Sequence, residues 1–232
     1  MDDTDDDRKE LALFGRVMAS VSHEFNNVIS IIGQVGGLLE DLAAMQDEGR
    51  EVDPGKWRKQ TERILFQTER GKAIVKNMNR FAHSIDEPAK TFDLGAAVQN
   101  LAFVAERLVK NRNADLVLEV CDVSAPITSD PFLLRFALLK GLDLCLDQEP
   151  PPAEIHIACE EDGERVRIRL SGSDLAPGYE IHPALLDARA AARRLLGECR
   201  VESGRGNNGG AFVLELPRRR DTRPVRERRH DP

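Results

Sequence analysis

The sequence predicts an α+β protein: an N-terminal antiparallel helical hairpin that dimerises into a four-helix bundle, followed by an α/β sandwich. The first observation is a proline-free stretch over residues 8–48 with a regular apolar seam. The second is another helical segment over 56–86, reached through a turn-like stretch at Pro54. The third is the pattern after Pro88, where predicted helices alternate with short segments typical of β-strands.

Composition and charge exclude several classes of function. The 232 residues are 41% hydrophobic and 31% charged, as expected of a globular chain, and the net charge of −7 disfavours a nucleic-acid partner. No apolar run reaches the roughly 18–20 residues of a membrane span, and the acidic N-terminus is unlike a signal peptide, so we expect a cytoplasmic protein with no membrane partner. Four scattered cysteines without CxxC spacing indicate reduced thiols and no metal site.

Four segments are predicted along the chain. They are an acidic disordered tail (1–10), a dimerising hairpin (11–88), an α/β domain (89–217) and a basic disordered tail (218–232). In the α/β domain we expect helices over 94–111, 131–148 and 183–197, and strands over 116–120, 154–159, 165–170, 199–203 and 211–216. The run RVRIRL alternates strictly, which predicts a strand with one solvated face.

The first helix carries the clearest pattern in the chain. Its apolar residues recur at alternating steps of four and three: Phe14, Met18, Val21, Phe25, Val28, Ile32, Val35, Leu39 and Leu42. The second helix has a less regularly spaced apolar seam, which consists of Trp57, Ile64, Val75, Met78, Phe81 and Ile85. Because one hairpin offers only two helices, pairing with a second copy is the economical way to bury both seams.

This seam places one histidine on the opposite face. With Val21 at d and Phe25 at a, His23 occupies heptad position f. It lies in a polar stripe with Arg16, Ser20, Asn27, Ser30 and Gln34. An isolated histidine is usually a satisfied structural residue, but here the register removes the core position and leaves an exposed imidazole.

Residues 20–27, SVSHEFNN, resemble the H-box of sensor histidine kinases. The resemblance implies that His23 is phosphorylated. An imidazole side chain can play this part because much of it is uncharged at physiological pH, and the unprotonated ring nitrogen is then a nucleophile. Glu24 is expected to accept a proton from the ring or hold its tautomer, and Asn27, one turn on, to bind the phosphoryl group or orient a water. Where family members commonly have proline after the asparagine, this chain has Val28, which leaves the helix unkinked.

The resemblance continues past the first helix, but the nucleotide motifs are degraded. Residues 64–88 resemble the second hairpin helix of the same family, and residues 90–120 the start of its ATP-binding domain. The turn Ser129-Asp130-Pro131 is present, yet Lys140 and Leu144 stand where metal-holding asparagines are expected. An Asp-x-Gly-x-Gly loop is missing from 171–178, and no glycine lid precedes 183–197.

The combination resembles dimeric histidine phosphotransferases with a vestigial kinase domain. It implies a phosphorelay intermediate that accepts a phosphoryl group on His23 from one response regulator and passes it to another. No cofactor is expected: the partner receiver domain supplies Mg²⁺, and ATP binding is predicted absent. Receiver domains are expected to dock at Arg16, Ser20, Asn26, Ser30 and Gln34, and a sensor kinase is a further possible partner.

Two alternatives stay open at this stage. A divergent autokinase would use an ATP site that the motifs do not reveal, which the missing glycines disfavour. A non-catalytic pseudokinase adaptor would bind a kinase or regulator without carrying phosphate, and it would not need the His-Glu-Phe-Asn-Asn sequence. The other histidines are expected to be structural: His83 at a helix end, and His156 and His182 in a strand and a loop.

Overall fold

The computed structural model describes residues 3–122, 126–148, 150–172, 175, 179–202 and 210–218. The predicted basic tail therefore lies outside the described residues, except for Arg218. Contacts divide the chain into two compact units: Met1–Ala82 with Phe103–Leu108, and His83–Ala102 with Val109–Pro232.

The first unit is a helical hairpin, as predicted. Helix α1 spans Asp3–Asp47 and helix α2 spans Pro54–Ala82; the 3₁₀ turn that follows, His83–Ile85, is grouped with the second unit. Gly49 follows α1 with a φ of +78°, a left-handed conformation that suits glycine at the end of a helix. Asp53 accepts a hydrogen bond from the Gly55 N–H at 2.9 Å and so caps the start of α2.

The acidic N-terminal segment differs from its prediction. Residues 1–10 were expected to form a disordered tail, but α1 already begins at Asp3. Lys9 pairs with Asp5 one turn earlier at 2.8 Å, and this pairing lowers the pKa of the Asp5 carboxyl. Acidic side chains are also favourable at a helix N-terminus, where the helix dipole is positive. Local electrostatics thus favour helix in a segment whose composition favoured disorder.

The predicted seam of α1 faces α2. Its positions Val21, Val28, Val35 and Leu42 are buried, while Phe14, Met18, Phe25, Ile32 and Leu39 are half-buried. The Phe14 ring stacks on Phe81 with 5.7 Å between centroids, which fixes the register of the hairpin near its open end. The seam is therefore only partly covered within one chain.

The seam of α2 was predicted less well. Gly71, Ile74 and Phe81 are buried, whereas the predicted residues Val75 and Ile85 are exposed. Ile74 and Val75 are adjacent apolar residues, so the pattern alone could not decide which of them faces α1. A Cβ on Gly71 would lie 3.4 Å from the Val28 side chain, an ordinary contact distance, so α1 and α2 pack against each other at this turn.

Helix α1 is also long and apolar enough to span a membrane by length and composition. The prediction that no stretch reaches that length is therefore wrong in this narrow sense. A single helix of this kind near the N-terminus is weak evidence for a membrane segment, because helices of soluble bundles pass the same test.

The second unit contains the α/β sheet predicted from the sequence, which confirms the α+β fold class. The strands and helices after the hairpin are β1 (Lys90–Phe92), α3 (Leu94–Lys110), β2 (Asp115–Asp122), β3 (Ile127–Ser129), α4 (Pro131–Leu146), β4 (Glu154–Asp162), β5 (Arg165–Ser171), α5 (Pro183–Arg194), β6 (Glu198–Glu202) and β7 (Ala211–Pro217). Of α3, the residues Phe103–Leu108 are grouped with the first unit. The main sheet has the order β2-β4-β5-β7-β6, parallel between β2 and β4 and antiparallel elsewhere. Strands β1 and β3 form a separate antiparallel pair that the sequence did not predict.

Helix α4 packs tightly in the second unit. Asp130 caps it by accepting from the N–H groups of Phe132 and Leu133, at 2.9 and 3.0 Å, with Pro131 in the first turn. A Cβ on Gly141 would come within 2.6 Å of the Phe212 ring, so this glycine permits the close approach of helix and sheet. Strand β5 alternates as predicted, with Val166, Ile168 and Leu170 buried.

Candidate functional site

His23 lies on the exposed face of α1, as its heptad position predicts. Val21 on one side is buried in the hairpin, and Phe25 on the other is half-buried. Because helix positions are separated by 100° of rotation, the imidazole between them points to solvent. A partner protein can reach the ring without any change in the hairpin.

Asn27 is the described partner of the imidazole. Its side-chain amide lies 3.5 Å from Nδ1 of His23, at the long limit for a hydrogen bond. The oxygen and nitrogen of an asparagine amide interchange by rotation, and the ring has two neutral tautomers. As placed, Nδ2 of Asn27 faces Nδ1 and can donate to its lone pair, which leaves the ring proton on Nε2; a 180° rotation of the amide lets its oxygen accept from Nδ1–H and leaves the lone pair of Nε2 free. Asn27 can therefore select the nucleophilic nitrogen.

Glu24 contacts α2 and has no described contact with the imidazole. Nη2 of Arg70 donates to Oε1 of Glu24 at 2.5 Å, with side-chain exposures of 41% and 21%. Sequence reasoning missed Arg70, since it lies 46 residues away and only the register of the hairpin brings it to this turn. The cluster of His23, Glu24, Asn27 and Arg70 is thus built by both helices.

The predicted docking stripe is only partly exposed. Arg16, Asn26, Ser30 and Gln34 are exposed, whereas Ser20 is half-buried and its hydroxyl oxygen is buried without a hydrogen-bond partner. Asn27 is half-buried as well. The heptad register predicts which face of α1 a side chain occupies, but not how far α2 covers the edges of that face. Ser20 lies at such an edge, and it is therefore half-buried although the register placed it in the exposed stripe.

An apolar groove runs along the hairpin on another face. It has a volume of about 600 Å³. Its lining includes Phe25, Val28, Ile29, Ile32, Gly71 and Val75. Ile29 is 52% exposed within it. Aliphatic side chains so placed are unfavourable in water, and a covering surface would stabilise them.

Lys140 and Leu144 stand at the two positions where the sequence resemblance predicts metal-holding asparagines, and both carry other chemistry. Nζ of Lys140 pairs with Oδ2 of Asp187 at 2.7 Å, and the two side chains are only 17% and 13% exposed. This ion pair joins α4 to α5, and the ammonium also lies 5.4 Å from the centre of the Phe136 ring. Leu144 is fully buried in the core. Neither position offers an oxygen ligand to Mg²⁺.

The remaining nucleotide motifs fall largely outside the described residues. Of the segment 171–178, where the Asp-x-Gly-x-Gly loop is expected, the structure describes only Ser171, Gly172 and Leu175. Among the described residues, no group of three or more His, Cys, Asp or Glu side chains is arranged to hold a metal ion.

The other described histidines have structural partners. His83 Nδ1 lies 2.8 Å from Asp86 in the turn after α2, and His156 Nδ1 lies 3.1 Å from Glu119 on the neighbouring strand. His182 caps α5 by accepting from the Ala184 N–H at 3.2 Å. These placements agree with the structural roles predicted for them.

The open face of the sheet carries a network of ion pairs centred on Glu215. Arg200 and Arg167 donate to its carboxylate at 2.9 and 2.8 Å, and they lower its pKa to about 2. The same contacts raise the pKa of both guanidinium groups. Arg167 also pairs with Glu160 and Asp162, and Arg200 with Glu202.

No family model matches the chain, and no curated protein matches it. Several solved structures are similar to it. Histidine kinase AdeS of Acinetobacter baumannii has 16% identity over 84% of this chain and 98% of its own, with a TM-score of 0.47. The ATP-binding domain of PrrB from Mycobacterium tuberculosis has 20% identity over 56% and 98%, with a TM-score of 0.48. Histidine kinase ThkA, in complex with response regulator protein TrrA, has 18% identity over 91% of this chain and 64% of its own, with a TM-score of 0.46.

Proposed function

We propose that this chain is a histidine phosphotransfer protein of a two-component phosphorelay. His23 takes a phosphoryl group from the aspartyl phosphate of one response-regulator receiver domain and passes it to another. The observation that carries the proposal is the exposed imidazole of His23, with Asn27 at 3.5 Å and Glu24 beside it on a rigid helix.

The transfer needs only groups that the two proteins bring together. The lone pair of the free ring nitrogen forms the N–P bond while the P–O bond to the receiver aspartate breaks. The electron pair of that bond stays on the aspartate carboxylate. The other ring nitrogen keeps its proton until Glu24 or water accepts it, and the reverse sequence loads the second receiver. Mg²⁺ on the receiver neutralises the phosphoryl oxygens, so this chain needs no metal ligands.

A homodimer built by the hairpin is part of the proposal. The groove of about 600 Å³ and the half-buried seam of α1 leave apolar surface that one chain does not cover. A second hairpin presents the same surface, and four helices bury both seams in one core. The polar face with His23 then remains outside the bundle, where receivers dock over Arg16, Asn26, Ser30 and Gln34.

The second unit is proposed not to bind ATP. Lys140 places a cation, already paired with Asp187, where a metal ligand is expected, and Leu144 places an apolar side chain. Opening the site for a nucleotide would require breaking a largely buried ion pair, which is costly when one partner is left alone.

Labelling experiments test the proposal. The full chain is incubated with a panel of receiver domains loaded by acetyl phosphate, and separately with labelled Mg-ATP. We expect acid-labile label on the wild type from at least one receiver, none on His23→Ala, and normal labelling of the control His83→Ala. Circular dichroism and sedimentation should show that His23→Ala keeps its fold and dimer, since the exposed ring contributes little packing.

Other labelling results would favour the autokinase or the adaptor over the phosphotransfer protein. Label on His23 from ATP alone would establish the autokinase. Absence of label from every donor, together with stable binding of a receiver, would establish the adaptor. Label retained at a normal rate on His23→Ala would show that another residue is the acceptor.

A further inference from the structure

Arg70 reaches from α2 to the turn of α1 that carries His23. Its contact with Glu24 is the described polar link between the two helices at this level. Neighbouring residues on a helix have Cα atoms 3.8 Å apart, so the guanidinium that binds Glu24 is anchored next to the phosphate acceptor. Asn27 lies one turn on from both residues, so His23, Glu24 and Asn27 occupy neighbouring positions on the surface of α1.

The guanidinium keeps unused donors. Only Nη2 of Arg70 has a partner among the described residues, and that partner is Glu24. The remaining N–H groups form the planar fork that matches two oxygens of a phosphoryl group. The side chain is 41% exposed, so it can rotate toward His23 without disturbing the hairpin core.

The guanidinium of Arg70 could also offset the negative charge that a phosphoryl group adds beside Glu24. A phosphoryl group on His23 adds nearly two negative charges next to the carboxylate of Glu24, and like charges at this distance disfavour the phosphorylated state. Arg70 is the cation already in contact with that carboxylate. Its reorientation offsets the new charge and at the same moment frees Glu24 to accept the ring proton.

We infer that Arg70 is a phosphoryl-binding residue of the His23 site: it holds Glu24 in the resting hairpin and binds the phosphoryl oxygens when His23 is phosphorylated. This inference rests on the proposed function of His23. It adds a residue of α2 to a site that the sequence pattern placed on α1 alone.

The test uses potassium phosphoramidate, a small phosphoryl donor that needs no partner protein. Phosphorylation of the His23 peptide is followed in the full chain by mass spectrometry under alkaline conditions, together with the lifetime of the phosphohistidine. We expect Arg70→Ala to slow uptake or shorten that lifetime by about tenfold, equivalent to about 1.4 kcal/mol. Arg70→Lys should recover part of the loss, because lysine keeps the charge but not the fork.

Arg63 provides a matched control. It lies two turns earlier on the same face of α2, where it donates to Gln60 at 3.0 Å. Arg63→Ala removes the same charge from the same helix and should leave uptake and lifetime at wild-type values. Equal behaviour of Arg70→Ala and Arg63→Ala would overturn the inference.

A double variant separates direct binding from neutralisation of Glu24. Glu24→Gln alone removes the repelling carboxylate and serves as the reference, and adding Arg70→Ala to it should still lower uptake or lifetime if Arg70 binds the phosphoryl group. Full recovery in the double variant would overturn the inference, since Arg70 would then act only on Glu24. Failure of the proposed function would give a different result from failure of the inference about Arg70, because His23→Ala would then still be labelled by phosphorylated receivers.

Discussion

The ion pair between Lys140 and Asp187 gives a quantitative test of the second unit. The pair joins α4 to α5 at 2.7 Å, and both side chains are largely buried. The perturbation is Asp187→Asn, which keeps size and shape but removes the negative charge. Lys140 is then left with its ammonium in a poorly hydrated position, beside the Phe136 ring.

The expected loss follows from the burial of the pair. Two unit charges about 4 Å apart attract each other by about 4 kcal/mol at an effective dielectric constant of about 20, and dehydration of both groups offsets much of this gain. Removing one partner cancels the attraction but leaves the dehydration of the other, which costs about 3–5 kcal/mol for a fully buried pair. Because some exposure remains here, we expect Asp187→Asn to lower the free energy of unfolding by about 2–4 kcal/mol.

Urea unfolding of the full chain measures this loss, with hydrogen exchange of α4 and α5 amides assigning the transition to the second unit. Glu69→Gln is the control, because the Glu69–Lys72 pair has the same 2.7 Å separation but is about 70% exposed. Its loss should stay below about 0.5 kcal/mol. Lys140→Met/Asp187→Leu should recover most of the stability. A loss from Asp187→Asn no larger than that of Glu69→Gln would refute the reasoning.

Three further predictions concern the dimer, the sheet and the helix contact. Ile29→Lys should give a folded monomer by sedimentation, because Ile29 is 52% exposed in the groove, whereas Val28→Lys should unfold the hairpin by circular dichroism. Glu215→Gln should cost about 2–3 kcal/mol near neutral pH. The lowered pKa of Glu215, about 2 against an ordinary 4.5, stabilises the fold above pH 4.5, and this contribution disappears as the pH falls through 2, where wild type and variant should converge in urea titrations. Gly141→Ala should cost about 1–3 kcal/mol in the same assay, since its Cβ would meet the Phe212 ring at 2.6 Å.

The fold was predictable where one physical signal dominated. The heptad seam of α1 and the strict alternation of β5 each encode a buried face, and both appear in the structure. Strands β1 and β3 were not predictable, because three residues are too few to show a period. The seam of α2 was misassigned at Val75 because two apolar residues are adjacent there and only tertiary packing selects Ile74.

Part of the candidate site was likewise predictable from the sequence, and part was not. The exposure of His23 and its proximity to Asn27 follow from the helical period, so the sequence was sufficient for both. The contact of Glu24 with Arg70 depends on how two helices align across the turn at Gly49. A pattern within one helix holds no information about that alignment, so the contact of Arg70 with Glu24, on which its proposed role rests, could not be found from the sequence.

The replacement at Lys140 has a consequence for how the second unit is stabilised. Helix α4 is buried on nearly every side, so its one ammonium group must find a partner inside the fold. Asp187 supplies that partner from α5, which makes the contact between these helices complete without any bound ligand. A helix pair closed by its own charges can keep its shape whether or not nucleotide is present. The proposed phosphotransfer at His23 would then need only the hairpin and its partners, and we expect the stability of the second unit to be unchanged at millimolar Mg-ATP in a thermal-shift titration.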